Sequence, residues 1–166
     1  MRYHNITKDD MLNGTGLRVV LWVAGCLHAC KDCHNPVTWD VNGGLIFDAA
    51  AKAELFAELS KSYIEGITLS GGDPLHPSNR EEIGSLMAEI SAAFPDKNIW
   101  LYTGYSWEDI SSLPYIKLVD VLVDGKFERD LKDAKLFWRG SSNQKLIDVK
   151  KTLENNQIIQ LDLISK

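Results

Sequence analysis

Leu17 to Gly25 reads LRVVLWVAG, and Cys26 to Pro36 continues as CLHACKDCHNP. An unbroken apolar run that ends on a glycine suits a strand buried on both faces, as in a parallel sheet, where polar alternation is not required. The polar loop after it holds all three cysteines of the chain, Cys26, Cys30 and Cys33, so the strand delivers a chemically distinctive loop to one end of the sheet.

Further along, the chain alternates strand and helix. Asp48 to Lys61 (DAAAKAELFAELSK) places Ala, Leu and Phe at helical spacing behind Asp48 as N-cap. Gly66 to Leu69 reads as a short strand, SGGDP as a turn, and Ser78 to Phe94 as a second amphipathic helix that Ser78 could cap. Asn98 to Thr103 (NIWLYT) and Val119 to Val123 (VDVLV) are further apolar runs, with a short helical segment around Trp107 to Ser112 between them. This alternation predicts parallel strands joined by right-handed crossovers. After Asp124 the chain becomes polar and reads as a loop with one helical turn. Lys145 to Lys151 and Gln157 to Leu163 read as two strands of an antiparallel hairpin around Glu154-Asn155-Asn156.

Composition narrows the function classes. The 166 residues are 45% hydrophobic and 25% charged, the balance of an ordinary globular chain and a length suited to a single domain, 1–166. A net charge of -5 argues against a surface built to neutralise phosphates, so no nucleic-acid partner is expected. No stretch approaches the roughly 20 apolar residues of a membrane span. The start, MRYHNITKDDML, has neither a basic n-region nor an apolar h-region, and the expectation is a cytoplasmic protein without a membrane partner.

Three cysteines at the spacing C-x3-C-x2-C cannot all pair as disulfides, and soft thiolates so placed can wrap a compact metal centre. A four-iron cluster held by three cysteines leaves one iron with an open position, which chemistry at the metal requires. Zinc is the alternative on spacing alone, with His28, His34, His4 or His76 as the fourth ligand. Other segments are equally divided when read locally. SGGDP could be a plain turn or a close backbone approach to a ligand, and Asp124-Gly125 could be a hairpin turn. Thr103-Gly104-Tyr105 could be a turn or part of a cavity wall, and the five tryptophans are scattered packing residues.

The cysteine triplet resembles the signature of the radical S-adenosylmethionine superfamily. Five further blocks resemble, in the same order, those of its anaerobic ribonucleotide reductase-activating family: NGTGLR (Asn13 to Arg18), LSGGDPLHP (Leu69 to Pro77), WLYTGY (Trp100 to Tyr105), VDVLVDGKF (Val119 to Phe127) and WRGSSNQ (Trp138 to Gln144). The resemblance implies an α/β fold, an open partial (β/α) barrel of one domain with its site at the carboxyl ends of the strands. It implies one 4Fe-4S cluster on Cys26, Cys30 and Cys33, whose unique iron is chelated by the amino and carboxylate groups of S-adenosyl-L-methionine.

By the same resemblance Ser70, Gly71, Gly72 and Asp73 hold the methionine amino group, and Asp32, Cys33 and His34 neighbour the nucleoside. Thr103 lines the cavity, Lys126 offers a charge to the methionine carboxylate, and Asp124 orients the polar network. Asp73 stands where many superfamily members have glutamate, as this family would have it, and Asp32 stands where many have an aromatic residue. The WRGSSNQ block would lie near the mouth of the site. The implied activity is reductive cleavage of S-adenosylmethionine to a 5'-deoxyadenosyl radical, which makes a glycyl radical on the large subunit of anaerobic ribonucleotide reductase. A flavodoxin-type protein would donate the electron. Other radical enzymes, such as a 7-carboxy-7-deazaguanine synthase or a pyruvate formate-lyase activase, and a zinc-binding interaction module are the competing readings.

Overall fold

The apolar run that leads into the cysteine loop forms an interior strand, β2 (Arg18–Val23), with Val19, Val20, Leu21 and Val23 all buried. The computed structural model describes residues 1–161. Around β2 stand β1 (Arg2–Asp10), β3 (Leu45–Ile46), β4 (Gly66–Gly71), β5 (Asn98–Tyr102), β6 (Val121–Asp124) and β7 (Lys145–Asp148), forming one seven-stranded mixed sheet in the order β3-β1-β2-β4-β5-β6-β7. Strands β2, β4, β5 and β6 are parallel, in register Val20↔Thr68, Thr68↔Trp100 and Trp100↔Val121. β1, β3 and β7 complete the edges in antiparallel pairing.

Helices α1 (Ala49–Leu59), α2 (Arg80–Ala93), α3 (Trp107–Ile110) and α4 (Val149–Asn155) pack on one face of this α/β sheet. There Leu55, Leu59, Ile83, Met87, Ile90, Ile110 and Val149 meet Val19, Leu21, Val23, Ile67, Leu69, Ile99, Leu101 and Leu122 in one core. A smaller cluster, Trp100, Val121, Val123 and Leu146, lies on the opposite face, where Trp138 and Tyr102 pack against it.

Asp48 caps α1 as expected, its side chain accepting from the Ala51 N–H at 2.9 Å. Ser78 does not cap α2. The helix starts two residues later, and Asn79 at the cap position donates its amide to the Ala24 carbonyl instead, at 2.8 Å, tying the end of β2 to the helix. The expected carboxy-terminal hairpin is also corrected. Lys145–Asp148 is a strand, but it pairs with β6, and Asp148 accepts from the Lys151 N–H and opens α4 where the second half of that strand and its turn were expected. Val149 and Thr152, three apart, form the buried stripe of this helix, a helical spacing that the flanking lysines obscure. Of the other expected strand only an isolated bridge, Ile147↔Gln160, remains, and positions 162–163 lie outside the described residues.

Asp124-Gly125 makes no tight hairpin either, since residues 125–144 intervene before β7 pairs with β6. β1 has no counterpart in the sequence reading: of its nine residues only Ile6 is buried, so its apolar signal is faint. Among the described residues no helix is long and apolar enough to cross a membrane.

Candidate cluster and cofactor site

The parallel strands all end at one rim, and the cysteine loop leaves from it. Beyond β2, the Gly25 and Cys26 N–H groups donate to the Thr38 and Trp39 carbonyls at 2.7 and 3.0 Å, which closes the loop back on its own base. Within it Cys33 N–H donates to the Cys30 carbonyl at 3.1 Å, and Asn35 N–H donates to the Cys33 Sγ at 3.4 Å. Ala29 and Asp32, each one residue before a cysteine, take positive φ values of 48° and 57°, a left-handed backbone that turns the chain sharply at both points.

Cys26, Cys30 and Cys33 are free and half-buried. Burial pushes the Cys26 thiol up, a hydrogen bond from the His28 backbone N–H pulls it down, and the charges of Asp73, Cys30 and Cys33 push it up further. Three soft sulfur donors on one loop suit an iron-sulfur cluster. Among the described residues no three His, Cys, Asp or Glu side chains gather around a point for a single metal ion. Thiolates on a four-iron cluster each meet a different iron and need no such common point.

The end of β4 lies beside this loop. Gly72 N–H donates to the Val23 carbonyl at 2.9 Å and Asp73 N–H to the Gly25 carbonyl at 2.7 Å. A Cβ on Gly72 would overlap the carbonyls of Gly25 and Thr38, so only glycine lets these three segments meet. Ser70 pairs in register with Trp22 and thus lies on the face away from the helices.

Asp73 is 1% exposed and turns its carboxylate inward. Oδ1 accepts from Leu75 N–H at 2.8 Å and from the Thr103 hydroxyl at 2.9 Å, and Oδ2 accepts from Gly104 N–H at 3.0 Å. The fourth partner is His28 Nε2, 2.6 Å from Oδ2, so a histidine within the cysteine loop is joined to the ends of β4 and β5. Four donors occupy the acceptor positions of a carboxylate, leaving the Asp73 side chain none for a ligand.

The remaining expected site residues are spread along the rim. Asp32 is exposed and pairs with Arg129 at 2.9 Å, and His34 is exposed beside it in the loop. Asp124 is buried at the end of β6, where it accepts from the Trp107 and Lys145 N–H groups, each at 3.0 Å, and fixes the starts of α3 and β7. Burial pushes its carboxyl up, and those two hydrogen bonds pull it down. Lys126 is exposed two residues on. Cys26, Gly72, Asp73 and Thr103 are therefore brought together, whereas Asp124 is engaged with its own backbone neighbours.

The WRGSSNQ block has an internal role that composition alone does not reveal. Gln144 Oε1 accepts from Gly140 N–H at 2.9 Å while its Nε2 donates to the Gly125 carbonyl at 3.0 Å. Arg139 donates to the Gln144 carbonyl at 2.8 Å, Asn143 to the Lys126 carbonyl at 2.8 Å, and the buried Ser141 accepts from Glu128 N–H. The block thus braces residues 125–144 from within, and Trp138 meets Trp100 edge-on with ring centroids 5.2 Å apart. In the sequence His28 offers itself only as a zinc ligand, and its partner Asp73 stands 45 residues away, beyond the reach of any local pattern.

Residues 12–147 match the family model of a 4Fe-4S single cluster domain. The chain is 53% identical over 146 residues to the anaerobic ribonucleoside-triphosphate reductase-activating protein of Enterobacteria phage T4, covering 88% of this chain and 93% of the phage protein. It is 46% identical over 148 residues to the protein of that name from Escherichia coli (strain K12), covering 87% and 96%. With the protein so named in Vibrio cholerae the identity is 42% over 151 residues, covering 87% and 96%. Cysteines, neighbouring strand ends and these likenesses agree: the chain belongs to the family of anaerobic ribonucleoside-triphosphate reductase-activating proteins and carries that family's 4Fe-4S domain.

Proposed function

We propose that this protein is a radical S-adenosylmethionine activase acting on the large subunit of anaerobic (class III) ribonucleotide reductase, with a flavodoxin-type electron donor in the cytoplasm. The observation that carries this reading is the placement of Cys26, Cys30 and Cys33 on one loop at the end of β2, beside the Gly71–Asp73 backbone at the end of β4. Three cysteines leave a cluster one iron to which S-adenosyl-L-methionine can bind. A reduced cluster held by these cysteines would supply the electron for reductive cleavage of this cofactor to methionine and a 5'-deoxyadenosyl radical, which would take a hydrogen atom from a glycine Cα of the reductase.

The chain's own residues position and enclose. Cys26, Cys30 and Cys33 hold the metal, Ser70, Gly71 and Gly72 offer backbone to the methionine amino group, and the backbone from Asp32 to His34 borders the nucleoside. Lys126, exposed at the end of β6, is free to meet the methionine carboxylate, with Asp124 and Thr103 holding the strand ends around it. The sheet is read as an open partial (β/α) barrel of one domain, 1–166. Its parallel strands follow in chain order with the helices on one face, the winding of a (β/α) barrel that stops short of closure. An open side suits a protein substrate better than a small molecule.

The test is anaerobic mixing of the reconstituted protein with the reductase, reductant and S-adenosylmethionine, followed by electron paramagnetic resonance. A glycyl doublet is expected, and Cys26→Ala, Cys30→Ala or Cys33→Ala each abolishes both the doublet and cofactor cleavage. Cleavage without a doublet would point to a different substrate, such as that of a deazaguanine synthase or a pyruvate formate-lyase activase. A colourless protein holding zinc and no labile sulfide would refute the enzyme reading.

A further inference from the structure

His28 lies in a loop where Leu27, Ala29, Lys31, Asp32 and His34 are exposed. Its neighbour Leu27 is 66% exposed, whereas the His28 side chain is 8% exposed. The ring is enclosed by the ends of β4 and β5: Asp73 Oδ2 lies 2.6 Å from Nε2, and Tyr105 packs edge-on with centroids 4.7 Å apart. A Cβ on Gly104 would collide with the imidazole, so the strand end is shaped to admit it. Behind Tyr105 the Arg80 guanidinium stacks at 4.8 Å, so α2 backs the same wall. Asp73 in turn is held by Leu75, Thr103 and Gly104, which makes it a rigid post.

We propose that His28 is a positioning residue: by donating from its ring to Asp73 it fixes the loop of Cys26, Cys30 and Cys33 against the ends of β4 and β5, and thereby sets the space that S-adenosylmethionine occupies. The proposal deepens the activase reading and rests on it for the identity of the cofactor. It assigns the Asp73 side chain to the protein's own loop, leaving the backbone of Ser70 to Gly72 for the ligand. Partners of this outer kind orient ligands without touching the metal, and their loss commonly costs about tenfold or more in affinity or activity.

The test compares wild type, His28→Ala and His28→Gln after anaerobic reconstitution, since the terminal amide nitrogen of glutamine reaches about as far as imidazole Nε2. All three are expected to hold equal iron and sulfide. His28→Ala should raise the KM for S-adenosylmethionine about tenfold while changing kcat far less, and should blunt the change that the cofactor causes in the resonance of the reduced cluster. Amide hydrogen exchange across Cys26 to Cys33, measured on the same reconstituted proteins without cofactor, should quicken about tenfold in His28→Ala. His28→Gln should restore most of both properties.

Unchanged exchange in His28→Ala overturns the proposal, as does a glutamine variant as defective as alanine. Loss of iron from both variants also overturns it, because the ring would then be holding metal rather than the loop. Wild type that carries a cluster but cleaves no S-adenosylmethionine would refute the activase reading, and the exchange data would still decide the role of His28.

Discussion

Both ends of the parallel strands bury charge, and Arg18 at one end and Asp73 at the other are bonded in different ways. At the amino end Arg18, 0% exposed, donates to Thr68 Oγ1 at 2.9 Å, to the Ile67 carbonyl at 2.7 Å, to Asn98 Oδ1 at 2.7 Å and to the Thr15 carbonyl at 2.9 Å, and lies over the Trp100 ring. Its partners belong to β4, β5 and the turn just before β2, all permanent parts of the fold. Burial lowers its pKa to about 10, so it stays charged at neutral pH even though every acceptor is uncharged. At the carboxyl end Asp73 is equally buried, but one of its partners, His28, lies in a loop that the sheet does not otherwise hold through a buried side chain. The amino-end knot serves the fold, and the carboxyl-end knot joins the fold to the site.

That contrast can be broken by experiment. The largest effect on stability should come from Arg18→Met, which leaves the Asn98, Ile67 and Thr15 oxygens without their donor and should cost about 3 kcal/mol. For a domain of this size that is a fall of roughly 10 °C in Tm. The KM for S-adenosylmethionine of the protein still folded at low temperature should stay within about twofold of wild type, because sites this far apart act independently. A large rise in KM would mean that the two ends are coupled.

Asp73→Ala should cost less stability, about 2 kcal/mol, by orphaning buried donors of Leu75, Gly104 and Thr103. Unlike Arg18→Met it should also raise the cofactor KM about tenfold, as His28→Ala does. The double variant Asp73→Ala/His28→Ala should be no worse in KM than either single one, since both remove one link. Additive defects would separate the roles of the two residues. The smallest effect should come from Arg129→Ala. This breaks the exposed pair with Asp32 and should lower stability by under about 1 kcal/mol, vanishing in high salt. A loss comparable to that of Asp73→Ala would show that the loop is held from its surface as well.

Much of this molecule was legible without coordinates. β2, β4, β5 and β6, the first two helices and the cap at Asp48 follow from local apolar period and side-chain chemistry, which the tertiary structure then reinforces. β1 was not legible, because a strand with one buried residue borrows its stability from the pairing with β2. Nor was α4, where Asp148 could be read as part of a strand or as a cap and only the packing of Val149 and Thr152 decided. NGTGLR was visible as a block, but its meaning required Arg18 in place. A Cβ on Gly14 would press on the Arg18 side chain, so the glycine makes room for the buried cation.

By itself the sequence determined that Cys26, Cys30 and Cys33 share one loop, since three thiols within eight residues are a local fact that no fold can alter. It also determined the α/β class, because the alternation of buried strands and amphipathic helices is written in hydrophobic period. Only the tertiary structure decided what the loop is tied to. His28 and Asp73 are 45 residues apart and meet because parallel pairing sets the end of β4 beside the end of β2. Which buried polar groups find each other is a property of strand order, and strand order is the outcome of packing the whole sheet at once.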